Sequence, residues 1–191
     1  MLLFIGLGNP DARFAKTPHN VGREIVEEFR AHIRFPEFRF EKNWQSRVSE
    51  GKVGKEKVAL VLPDTFMNRS GAGVAPVIRF YKIPPKAIFL VHDDADIALG
   101  RAKLSFGKRS AGHKGVESII RALKTTKFWR FRIGIAGKSA SRRIPAERLV
   151  LKKWTPEDMR VIKKVARRTL EALTIAITEN PDAAMNTYNQ S

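Results

Sequence analysis

Gly6-Leu7-Gly8-Asn9-Pro10, continuing through Asp11-Ala12-Arg13-Phe14 to Thr17-Pro18-His19-Asn20-Val21-Gly22, decides how the chain is read. The apolar run Leu2-Leu3-Phe4-Ile5 feeds into it, and Val21, Ile25, Val26 and Phe29 leave it at helical spacing. A strand, a glycine-bearing turn and a helix start follow one another here. Open α/β sheets place their chemistry at such strand ends. Thr17 is expected to cap the helix, with Pro18 at the first helical position, where a missing N–H costs nothing. The Gly6-Leu7-Gly8 turn is not a dinucleotide fingerprint, because Asp11 stands where the third glycine belongs.

Working outward, Phe38 to Phe40, Gln45 to Val53 and Lys57 to Leu62 read as strands, with Gly54-Lys55-Glu56 as a hairpin turn. Phe66-Met67-Asn68-Arg69-Ser70-Gly71 leads into a helix with Val74, Val77, Ile78 and Tyr81 on one buried face, ended by Ile83-Pro84-Pro85. Ala87 to Val91 is nearly all apolar, as a central strand covered on both faces would be, and His92-Asp93-Asp94-Ala95-Asp96 is expected at its carboxyl end. Gly100 to Phe106 alternates like a half-exposed strand. A loop from Gly107 to Gly115 then precedes a helix with Val116, Ile119, Ile120 and Leu123 inward, and Phe131 to Ile135 is a further strand. Pro156 to Thr178 is helical, with Met159, Ile162, Val165 and Leu170 facing in, and a short helix holds Ala183 to Tyr188. Strands alternating with helices predict an α/β three-layer sandwich: a mixed, largely parallel sheet with helices on both faces, in one domain over residues 1–191.

Thirty-six Lys and Arg stand against 19 Asp and Glu, a net charge of +17, which points to a polyanionic partner, most commonly RNA or DNA. A solvated surface, a ribosomal protein or a membrane-surface binder would carry the same surplus. No apolar run approaches the ~20 residues that span a bilayer, so a soluble, unprocessed chain is expected. Without cysteine there are no disulfides, thiolate nucleophiles or thiolate metal sites, in keeping with the cytoplasm.

Of four histidines, His32 falls among charged residues of the first helix, while His19, His92 and His113 fall at element ends. An imidazole near a helix start, oriented by a carboxylate from a neighbouring strand end, is a neutral base able to take a proton from water. No Gly-x-Ser-x-Gly turn is present, which excludes the usual serine hydrolase elbow. His92-Asp93-Asp94-Ala95-Asp96 could serve as a metal cluster for phosphoryl chemistry, but no second ligand set follows elsewhere. Asn9 and Asn68 lie just beyond strand ends, where an amide can polarise a carbonyl or read a peptide N–H; turn formation or capping is the structural alternative.

Together these segments resemble bacterial-type peptidyl-tRNA hydrolase. The blocks that carry the resemblance are Gly6-Leu7-Gly8-Asn9-Pro10 with His19-Asn20-x-Gly22, Pro63-Asp64-Thr65-Phe66-Met67-Asn68-x-Ser70-Gly71, and His92-Asp93-Asp94-x-Asp96 with Gly100. Gly112-His113, Arg132-Ile133-Gly134-Ile135 and Ala184-Met185-Asn186 continue them in the same order. The resemblance implies hydrolysis of the ester between a peptide, or another N-blocked aminoacyl group, and the 3′ ribose of tRNA, with no cofactor and no metal. By the family pattern His19 is the general base and Asp93 holds its basic form. Asn9 separates N-blocked from free aminoacyl-tRNA, and Phe66, Met67 and Asn68 line the peptide cleft. The implied partner is the CCA end and acceptor stem of peptidyl-tRNA, and the expected state is a monomer.

Three departures from the pattern stand out. Phe14 replaces a tyrosine and keeps only the stacking ring, and Pro18 replaces an arginine before the His-Asn pair. The Gly-His-Asn-Gly loop reads Gly112-His113-Lys114-Gly115, which leaves His113 and Lys114 as the substrate contacts there. Lysine cannot accept a hydrogen bond but can grip a phosphate or a developing oxyanion. Losing the amide is expected to slow the enzyme without abolishing it. Candidate tRNA contacts are Arg101, Lys103, Lys108, Arg109, Lys114 and Arg130. The competing readings are a catalytically weak, splicing-factor-like RNA binder and a metal phosphodiesterase.

Overall fold

Near-continuous apolar runs form the centre of the sheet. In the computed structural model, which describes residues 1–137 and 149–190, β1 (Leu2–Gly6), β4 (Glu56–Pro63), β5 (Ile88–Ala98) and β7 (Trp129–Ala136) run parallel. Their side chains point into two covered faces, so no polar alternation interrupts Val58–Leu62 or Ile88–Val91. Antiparallel β2 (Arg39–Glu41), β3 (Ser46–Val53) and β6 (Ala102–Phe106) complete the order β2-β3-β4-β1-β5-β7-β6. Helices α1 (Val21–His32), α4 (Pro156–Thr178) and α5 (Pro181–Asn189) cover one face, where Val26, Leu173 and Tyr188 meet Phe4, Phe89 and Phe131. Helices α2 (Ser70–Phe80) and α3 (Lys114–Leu123) cover the other, where Val74, Val77 and Ile119 meet Ile5, Val61 and Leu90. This is the expected three-layer α/β sandwich.

Two local expectations change. The Thr17 hydroxyl does not cap the helix; it donates back to the Phe14 carbonyl at 2.7 Å, and a short 3-10 helix (Pro18–Asn20) precedes α1. The turn containing Phe14 satisfies that hydroxyl first, and the His19 amide donates instead to the Val150 carbonyl at 3.0 Å. Strand β5 also does not end at Val91. It runs on through His92, Asp93 and Asp94, paired with Arg132, Ile133 and Gly134 of β7, with a register shift before Ala98. The polar residues are thus strand residues, and their side chains alternate between the two faces.

A close approach sets α1 against this strand. A Cβ on Gly22 would lie 2.1 Å from the Val91 carbonyl oxygen, so only glycine lets the helix start touch the β5 backbone. That contact brings His19 to Asp93.

Candidate active site

Asp93 is 2% exposed, and its Oδ1 faces two imidazoles: His19 Nδ1 at 2.9 Å and His113 Nε2 at 2.8 Å. The tautomer of His113 follows from its other nitrogen. Nδ1 accepts from the Gly115 and Val116 amides at 3.1 and 3.3 Å, capping α3, so Nε2 must carry the proton it gives to Asp93. His19 likewise donates from Nδ1 to the carboxylate, which leaves Nε2 as the ring nitrogen available to the cavity. Burial alone would push the Asp93 carboxyl up, but the adjacent His113 and His19, both donating to it, outweigh burial and hold the group well below the usual carboxylate range. The carboxylate therefore stays ionised and orients His19.

His19, Asp93 and His113 offer ligand atoms within 4.8 Å of one another. They do not suit a metal ion, because the lone pair of His113 is spent on the α3 amides and its other nitrogen presents a proton. Nor do the carboxylates of β5 converge. Asp93 turns to the histidines, whereas Asp94 binds Arg132 Nε at 2.7 Å and the Asp96 amide at 3.0 Å. The arrangement fits a hydrogen-bonded base rather than the metal cluster weighed from the sequence.

Asn9 is fixed from two sides. Asn20 clamps its backbone, accepting from the Asn9 amide at 2.8 Å and donating to the Asn9 carbonyl at 3.0 Å. The Asn9 Oδ1 accepts from the Met67 amide at 3.0 Å, so the side-chain NH2 is the group left for the cavity. Sequence reasoning assigned Asn20 no part in this. The available signal was an amide directly after the candidate base. It also missed Arg23, 8% exposed, which reaches the Pro63 carbonyl at 3.1 Å and Asp64 Oδ1 at 2.9 Å. That bond ties α1 to the β4 end from which Phe66, Met67 and Asn68 follow.

A cavity of about 690 Å³ opens over this cluster. Asn9, Phe14, His19, Phe66, Met67, Asn68, Asp93, His113 and Lys114 all line it, so nine of the residues singled out in the sequence meet at one place. Val150 and Leu151 close its far side. Their segment is held to the Phe14 turn by Lys153 Nζ on the Ala15 carbonyl at 2.7 Å and by the Trp154 amide on the Lys16 carbonyl at 3.1 Å. With both ring nitrogens engaged within the protein, His113 meets the cavity with its ring. Arg101, Lys103, Lys108 and Arg109 are exposed on and around β6, outside the cavity. Arg130 contradicts its expected role as a tRNA contact. It is 1% exposed, and burial, with the charge of Arg132, pushes its guanidinium down to about 10. As an interior residue of β7 it cannot reach a phosphate at the surface.

The family model for peptidyl-tRNA hydrolase matches residues 3–191. A peptidyl-tRNA hydrolase of Desulfitobacterium hafniense is 37% identical over 190 residues, covering 100% of both chains. One of Aquifex aeolicus is 37% identical over 188 residues, covering 98% of this chain and 96% of that protein. The crystal structure of peptidyl-tRNA hydrolase from Acinetobacter baumannii superposes with a TM-score of 0.91 at 30% identity, over 99% of this chain and 94% of the other. With the fold, the His19–Asp93 pair and near-full-length similarity in agreement, the chain belongs to the peptidyl-tRNA hydrolase family.

Proposed function

We propose that the protein hydrolyses the ester between the carboxyl end of a peptide and the 3′ ribose of tRNA, with His19 as general base. The observation that carries this reading is the His19–Asp93 hydrogen bond of 2.9 Å, which engages Nδ1 and leaves Nε2 as the nitrogen that can serve the cavity as base. Nε2 takes a proton from water as the water oxygen attacks the ester carbonyl. The imidazolium, steadied by ionised Asp93, then returns the proton to the departing ribose oxygen. Phe66, Met67 and Leu151 supply apolar wall for the peptide, and Asn68 and Lys114 stand where polar groups of the substrate backbone would pass. The 3′ CCA end approaches along the exposed Lys103, Lys108 and Arg109. Residues 1–191 act as one domain, as a monomer in the cytoplasm. No helix among the described residues is long and apolar enough to cross a membrane.

Selectivity for N-blocked substrates follows from the orientation of Asn9. Its NH2 can donate to the carbonyl of the blocking group, whereas a free aminoacyl ester presents an ammonium, another donor. Wild-type protein is expected to release tRNA from N-acetyl-aminoacyl-tRNA and to spare the free aminoacyl ester. Asn9→Asp keeps an acceptor for the Met67 amide but turns a second acceptor to the cavity. The ratio of kcat/KM between the two substrates should then shrink by about 10- to 100-fold, the scale of a hydrogen bond to a charged group. An unchanged ratio assigns the discrimination elsewhere, and absence of turnover by wild type overturns the hydrolase reading.

A further inference from the structure

We infer that the exposed face of α4 is a second contact surface for RNA, gripping the phosphate backbone of the substrate beyond its acceptor end; this extends the hydrolase reading and rests on it. Helix α4 buries Ile162, Val165, Ala166 and Thr169 and exposes Arg160, Lys163, Lys164 and Arg167. At 3.6 residues per turn these four cations fall within an arc of about 100° and span about 10 Å along the axis, the spacing of about three phosphates in a duplex strand.

A merely solvated helix face would interleave acids with these bases. Here Asp158 is committed to the Thr155 capping box, and no acid follows before Glu171. The four cations instead form like-charge pairs at i,i+3 and i,i+4, which oppose the isolated helix by a few tenths of a kcal/mol each. None of them has an ion-pair partner among the described residues. Arg168 is different, since it stacks over Tyr188 and reaches its carbonyl.

The segment leading into α4 is tied to the turn that borders the crevice. The residues just before α4 are fastened to the Phe14 turn through Ala15 and Lys16, and a Cβ on Gly100 would lie 3.1 Å from Val161. The β5–β6 turn therefore abuts α4 beside Arg160, and Arg101 follows that turn directly. Basic surface passes from the β6 edge onto the helix, so an RNA whose 3′ end enters the cavity can lie along both.

The test compares Arg160→Ala/Lys163→Ala/Arg167→Ala with wild type in binding uncharged full-length tRNA and a CCA trinucleotide, between 50 and 200 mM salt. Uncharged RNA keeps the result independent of hydrolysis. The triple variant should bind tRNA 10- to 100-fold more weakly at the low-salt end, with a salt slope about two to three units shallower. Trinucleotide binding should change less than twofold, and Arg160→Lys/Lys163→Arg/Arg167→Lys should restore tRNA binding. Unchanged tRNA affinity and slope would make the stripe a solvated face. Equal losses for tRNA and trinucleotide would mean that the substitutions act through the crevice. Loss of binding to phosphatidylserine vesicles with tRNA binding intact would identify a lipid-facing surface instead. Each of these three results overturns the proposal.

Discussion

Lys114 opens the helix that His113 caps, and it shares the cavity wall with Asn68, at the position where the family pattern has asparagine. An amide there could accept as well as donate, whereas an ammonium only donates. If that missing acceptor costs about 3 kcal/mol, the scale of one oxyanion-hole contact, Lys114→Asn should raise kcat on N-acetyl-aminoacyl-tRNA by up to about 100-fold. A fall in kcat would show that the lysine has an adapted part in the reaction. A second residue-scale prediction concerns His92, which lies beneath the site with its ring 4.8 Å from that of His113 and its Nδ1 donating to the Asp93 carbonyl at 2.6 Å. Burial first, then the neighbouring His113 and Arg130, hold its pKa well below 6.5. Above pH 6.5 neither folded nor unfolded chain protonates it. Below that, the unfolded chain takes up a proton that the native state refuses, so stability falls with pH by up to about 1.4 kcal/mol per unit from this group. Urea unfolding at pH 7, 6 and 5 should show a shallower pH dependence for His92→Gln than for wild type, whatever its absolute stability; parallel curves would contradict the assignment.

At the scale of elements, the site depends on the contact between the start of α1 and β5. Gly22→Ala places a methyl against the Val91 carbonyl, a backbone atom that can yield only if the helix moves. The cost should be 1–3 kcal/mol or more in urea unfolding, accompanied by loss of turnover as His19 leaves Asp93. An alanine variant with wild-type stability and activity would show that the approach is not required. Most elements could be read from the chain because apolar period and turn residues agree with the fold; α4 has the same bounds in sequence and structure, Pro156–Thr178. The misreadings share a physical origin. β5 extends past its apolar half because its hydrogen-bond ladder continues with β7 after the side chains turn polar. Thr17 bonds backward to a turn that local propensity did not reveal. Arg130 looks like a surface cation in any linear reading, and only the layering of β5, β7 and β6 shows it to be interior. Asn20 and Arg23 act across 11 and 41 positions of chain, and pairings of that range leave no local pattern.

For the molecule as a whole, the proposed reading puts ester cleavage and RNA binding in different places. The proposed chemistry belongs to a crevice at the carboxyl ends of parallel strands, the usual site of an open α/β sheet, while part of the basic surplus stands exposed on β6, its following loop and α4. Binding of RNA and cleavage of the ester should therefore separate on mutation. His19→Ala tests that separation and the central claim together, by following turnover of N-acetyl-aminoacyl-tRNA alongside affinity for uncharged tRNA. Turnover should fall by about 10²- to 10⁴-fold, the contribution of a positioned general base, while tRNA affinity stays within twofold of wild type. Turnover within threefold of wild type would contradict the assignment of His19 as the base.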